Sequence, residues 1–146
     1  MPIHLDAEQE HAIRVHGERD YPHECCGFLI GTPAMSDAGT GETTVARTRH
    51  AANTRTDSAH NRFEIDPGEL MRVDREARAE GLGVVGFYHS HPDAPARPSN
   101  YDREHAWPGY CYVIVSVADG QAREMFNWLL REDRSGFDPD EIVVRT

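Results

Sequence analysis

The chain has 146 residues, a length that suits one compact domain able to bury a core without disulfides. Its formal net charge is −10 and all 15 basic residues are Arg, a balance that argues against nucleic acid as a partner because phosphates and an acidic surface repel. No apolar run approaches the ~20 residues that a membrane helix needs, and the N-terminal MPIHLDAEQEH is charged within a few residues, unlike a signal peptide. The three Cys are odd in number, with Cys25 and Cys26 adjacent, so a reducing cytoplasm is expected, with neither nucleic-acid nor membrane partners.

In chain order, residues from about Leu5 to Arg19 read as an amphipathic helix with Leu5, Ala12 and Ile13 on its buried side, ended by Tyr21-Pro22. Cys26 to Ile30 is a short apolar run bounded by Gly31, hence a buried strand. Adjacent Cys at a strand start predict one buried thiol and one facing the other way, and Cys111 is expected in the core. Thr32 to Gly41 is rich in turn residues and reads as a hairpin-like loop, and Thr43 to Arg49 as a half-exposed strand. His50 to Arg62 is polar and patternless, a long loop of the kind that carries function. Asp66-Pro67 opens a helix to about Glu80, with Leu70, Val73 and Ala77 as its buried stripe.

Val84 to Tyr88 is the candidate central strand. A Pro-punctuated loop, a short helix from Ser99 to about Ala106, and strands at Tyr110 to Val117, Glu124 to Leu130 and Ile142 to Val144 complete the chain. Trp107-Pro108-Gly109 reads as a packed turn. Strands mixed with a few helices predict one α/β (α+β) domain over 1–146 built around a sheet.

Chemistry concentrates in HSHPDAPARPSNYD, residues 89–102. In extended chain, residues two apart point to the same side, so the imidazoles of His89 and His91 can converge on one ion. Asp102 follows a loop long enough to turn back, and two His plus one carboxylate leave a fourth tetrahedral position for water, whose pKa zinc lowers to about 7. The other reading needs no metal: Ser99 to Asp102 is an S-x-x-D helix-capping pattern, and nine His make chance spacing plausible. Capping and ligation are compatible.

This stretch matches H-x-H-x(7)-S-x-x-D at every defined position and so resembles the JAMM (MPN+) metallopeptidases. The likeness continues in YPHECCGFLIG, an acidic residue just before Cys-Gly and a short strand. It continues further in HAANTRTDSAHNRFEIDP, like the Asn-to-(Arg-Phe-x-Ile-Asp-Pro) segment of small stand-alone prokaryotic members, and in WPGYCYVIVSV. The resemblance implies a curved mixed sheet flanked by helices, similar to cytidine deaminases. It implies Zn2+ held by His89, His91 and Asp102, Glu24 as general base on the zinc-bound water, and Ser99 as a stabiliser of the oxyanion. Without it, Glu24 reads as an exposed acid before a strand.

The implied activity is hydrolysis of an amide or isopeptide bond at the C-terminal Gly-Gly tail of a ubiquitin-like or sulfur-carrier protein. The loop from Asn53 to Phe63 is expected near the cleft, where such a tail adds along a sheet edge. The alternative is a non-catalytic MPN-type scaffold for a ubiquitin-like protein, although those relatives lack the metal ligands. The sequence argues against nucleobase deamination, because the P-C-x-x-C pair that such a zinc site needs does not occur.

Overall fold

A computed structural model describes residues 2–32, 42–54 and 63–145. Its elements in chain order are β1 (Ile3–Asp6), α1 (Ala7–Asp20), β2 (Cys26–Thr32), β3 (Thr43–Ala51), α2 (Pro67–Arg78), β4 (Gly83–Pro92), α3 (Asn100–His105), β5 (Cys111–Ala118), β6 (Gln121–Leu130), β7 (Phe137–Asp140) and β8 (Ile142–Arg145). Of the hairpin-like loop expected at 32–41 only Thr32 is described, as the end of β2, and most of the polar loop at 50–62 lies outside the described residues.

The first helix begins two residues later than Leu5, and the reason is local. Ile3 and Leu5 alternate with His4 and Asp6 and are both fully buried, the period of a strand. Asp6 then stops the strand and starts the helix by a capping box. Its carboxylate accepts from Gln9 N at 2.7 Å, and the Gln9 side chain accepts from Asp6 N at 2.9 Å. β1 thereby lies parallel to both β3 and β8.

All eight strands form one curved, mixed sheet in the order β7-β6-β5-β4-β2-β3-β1-β8. Its centre is β4, antiparallel to β2 on one side and parallel to β5 on the other. Helix α1 covers one face, where Ile13 packs with Ile3, Leu5, Leu29, Tyr88 and the Val113, Val115, Val117 stripe of β5. Helix α2 covers the other, where Val73 and Ala77 pack with Phe28, Ile30, Phe87 and Tyr112. Two covered faces also settle the paired cysteines. Cys25 belongs to the α1-side core and Cys26 to the α2-side core, so both are buried where only one was expected to be. Cys111 is buried as well. Burial pushes the Cys25 thiol up to about 12 and raises Cys26 too, which leaves no thiolate for nucleophilic work.

On the α1 face a polar chain crosses the core. His16 Nδ1 lies 2.7 Å from the Tyr88 hydroxyl, Nε2 lies 3.3 Å from Asp20, and the ring stacks on His50 at 3.9 Å. Tyr88 has room because Gly27 has no side chain; a Cβ there would stand 2.2 Å from the tyrosine ring. Burial, with the charge of His50, pushes His16 down to about 4 against the pull of Asp20. A histidine that protonates less readily folded than unfolded contributes stability above pH 6.5, and loses it as pH falls towards 4. His16→Gln should therefore flatten the acid side of a melting-temperature profile between pH 7 and 4.5; an unchanged slope would remove the residue from the account.

Candidate metal centre

The site starts from a defect in pairing. Leu29 pairs with Gly86 but Ile30 pairs with Val84, so Val85 is an extra residue on β4. This bulge resets the alternation. Beyond it Phe87, His89 and His91 share the α2-side face, while Tyr88 and Ser90 point to α1. Ser90 is used structurally there, its Oγ accepting from Cys25 N at 2.8 Å.

A parallel pair cannot be closed by a tight turn, since its strands run the same way and the connection must return the length of the sheet. Residues 93–110 make that return between β4 and β5, and α3 sits inside it. Ser99 caps α3, its Oγ accepting from Asp102 N at 3.1 Å, while Asp102 Oδ2 accepts from Ser99 N at 2.9 Å. The capping box expected from S-x-x-D is present, and it also fixes the carboxylate. Asp102 Oδ2 lies 3.3 Å from His89 Nε2 and 3.1 Å from His91 Nε2, and those two nitrogens are 3.1 Å apart.

Three donor atoms in a triangle of 3.1–3.3 Å edges match the face of a tetrahedron about a small divalent cation, whose edge is about 3.4 Å for bonds of about 2.0–2.1 Å. The tautomers agree. His91 Nδ1 is 2.8 Å from the Pro95 carbonyl and donates to it, which in the neutral ring leaves Nε2 as a bare lone pair facing a carboxylate. Two lone-pair atoms at that distance call for a positive charge between them. Without a cation the protons supply it. Burial disfavours charge on either ring, yet hydrogen bonding and charge from Asp102 raise His91, while burial wins at His89 and lowers it. Burial likewise opposes ionisation of Asp102, but both imidazoles together hold its carboxyl far below the usual range.

Glu24 precedes β2 and is buried at 3% exposure, not the exposed acid that its sequence context alone suggests. One of its carboxylate oxygens and one ring nitrogen each of His89 and His91 all lie within 4.8 Å of one another, a second grouping compatible with a metal site. Its Oε1 has no hydrogen-bond partner among the described residues. Burial, with Asp102 adding to it and His91 opposing, pushes the acid up to about 8.

Beside His89 and Asp102 opens a cavity of about 240 Å³ walled by Phe63, Phe87, Tyr101, Trp107 and Tyr112. Trp107, expected as part of a packed turn, is 48% exposed and lines this cavity. The Pro95 carbonyl was not foreseeable, because a backbone acceptor leaves no mark in side-chain identity. Phe63, stacked on His89 at 4.4 Å, was visible as the end of a loop and as part of the Arg-Phe-x-Ile-Asp-Pro segment, with no role attached to it.

Over residues 6–131 the chain matches the prokaryotic homologs of the JAB domain, and it belongs to that family, the JAMM-type group that its motifs resemble. It is 37% identical over 119 residues to the desampylase of Haloferax volcanii, covering 78% of this chain and 80% of that one. To the CysO-cysteine peptidase of Mycobacterium tuberculosis it is 30% identical over 140 residues, covering 95% and 90%. The solution structure of protein DSY2949 from Desulfitobacterium hafniense shares its fold at a TM-score of 0.80 and 30% identity, covering 98% of this chain and 92% of that one.

Proposed function

We propose that this chain is a zinc-dependent peptidase that hydrolyses the amide or isopeptide bond at the C-terminal, Gly-Gly-type tail of a ubiquitin-like or sulfur-carrier protein. The observation that carries this reading is the triangle of His89, His91 and Asp102, with the buried carboxyl of Glu24 within 4.8 Å of both imidazoles. The names of the relatives, a desampylase and a CysO-cysteine peptidase, point to a hydrolase acting on such conjugates.

His89, His91 and Asp102 would hold the ion, and Pro95 and Ser99 orient two of these three through the bonds already described. Zinc in such a site acidifies a coordinated water and polarises a carbonyl. Glu24 would act as the base towards water at the site and then as the proton donor to the leaving amine. A buried carboxyl beside both imidazoles, with one oxygen that has no partner among the described residues, is placed to take up and return that proton. Ser99 Oγ accepts from Asp102 N, so its own hydroxyl proton can be donated to the developing oxyanion. The aromatic cavity beside the triangle suits an apolar side chain of an extended tail, with backbone groups of the tail left to pair along the cleft. The polar loop, mostly outside the described residues, remains part of this proposal only through its end at Phe63.

Purified chain should hold one zinc and cleave a carrier–peptide fusion at the end of the tail. Chelation should stop cleavage, and zinc should restore it. Tight binding of the carrier without any cleavage in the zinc-loaded state would favour the scaffold reading instead.

A further inference from the structure

Metal-ligating histidines almost always fix their ring by donating the second nitrogen to an acceptor, and loss of that partner weakens the site. His91 obeys the rule through Pro95. His89 does not: its Nδ1 is buried, 1% of the residue is exposed, and among the described residues the nitrogen has no hydrogen-bond partner. Something else must hold the imidazole. The ring of Phe63 lies against it, centroids 4.4 Å apart and planes 28° from parallel. Phe63 is in turn packed on the α2-side core.

The chain around Phe63 is itself pinned. Glu64 N donates to Asn53 Oδ1 at 3.0 Å, Thr54 N donates to the Glu64 carbonyl at 2.9 Å, and Asn53 Nδ2 donates to the carbonyl of Glu24 at 3.3 Å. One amide side chain thus joins the backbone of Glu24 to the residue next to Phe63. The geometry points to Phe63 as the positioning residue of His89, stacking in place of the missing hydrogen bond, with Asn53 as the anchor that registers Phe63 against Glu24. This rests on the metal reading of the triangle and goes beyond it.

The test is zinc affinity, measured by competition with a chromogenic chelator, together with melting of the metal-free proteins. Phe63→Leu keeps the apolar bulk but loses the flat face, and is expected to weaken zinc binding about tenfold or more, as loss of an outer partner does. Phe63→Tyr keeps the face and should bind zinc as the parent does. Val73→Ala loosens the same core from helix α2, so its melting temperature should fall while zinc affinity holds. Should Phe63→Leu not fold, Asn53→Ala carries the same expectation without touching the core. A folded Phe63→Leu or Asn53→Ala that binds zinc as tightly as the parent overturns the inference. Failure of the parent itself to bind zinc would overturn the metal reading beneath it.

Discussion

Glu24→Gln should retain zinc and lose turnover, with kcat for a carrier–peptide fusion falling by roughly a thousandfold, within the range that general acid–base groups supply. The substitution keeps the size and shape of the side chain and removes only its capacity to take and return a proton. Two groupings of donors compete here: Glu24 with His89 and His91 within 4.8 Å, and Asp102 with the same pair at 3.1–3.3 Å. The second is the tighter and has the spacing of true ligands, so zinc stoichiometry should survive loss of the Glu24 charge but not Asp102→Asn. The reverse pattern would exchange the roles of the two acids. Stability gives an independent reading. Burial raises Glu24 to about 8 from an ordinary 4.5, so the metal-free fold pays an increasing penalty as pH climbs from 4.5 to 8. Metal-free Glu24→Gln should therefore melt higher than metal-free parent at pH 8, and the two should converge near pH 4.5. Indistinguishable melting at both pH values would mean that the carboxyl is better solvated than its 3% exposure implies.

Gly86→Ala should be the most damaging of the small-to-large changes on β4. A Cβ at this position would sit 2.3 Å from the backbone carbonyl oxygen of Cys111 and 2.9 Å from its Cβ. The obstacle is a neighbouring strand, not the tip of a flexible side chain, so no rotamer change relieves it. The parallel pairing of β4 with β5, in which Gly86 faces Cys111 and His89 faces Ile114, would have to open. An overpacking cost of about 3 kcal/mol is expected, which for a domain of this size lowers the melting temperature by about 10 °C. Because His89 follows three residues later on the same strand, zinc affinity should fall in parallel. A variant that melts with the parent would show that the two strands can part more freely than their pairing suggests.

Much of this architecture can be read directly from the residues, and the exceptions are instructive. β2, α2, β4 and β5 announce themselves through apolar runs and a Pro at the first helical turn. β1 hides because four residues are too few for a period, and Leu5 fits a helix stripe as well as a strand; the D-x-x-Q of Asp6 and Gln9 was the signal that marks the boundary. β7 hides because its Phe-Asp-Pro-Asp carries a proline and two acids, acceptable only on the outermost strand of a sheet. At the centre, the alternation of His89 and His91 follows from strand geometry, and Ser99 with Asp102 from helix capping. Glu24 has no such local mark. Its burial results from the start of β2 running beside the end of β4, a contact between positions 63 residues apart or more that only the folded sheet creates. Pro95 is silent for the same reason, and Phe63, although part of the Arg-Phe-x-Ile-Asp-Pro segment, does not disclose its role: what matters about them is a carbonyl and a ring face brought up from a distance.

Because β4 and β5 run in the same direction, the chain is obliged to spend a long excursion returning to the starting edge. That obligatory detour is where Pro95, Ser99, Asp102 and Trp107 reside, so much of the proposed site occupies chain that the topology demanded in any case. The bargain restricts its tolerance to indels. An insertion before Ser99 lengthens a span whose two ends are both tethered, at Pro95 to one imidazole and at Asp102 to the pair, and cannot be absorbed as a harmless surface bump.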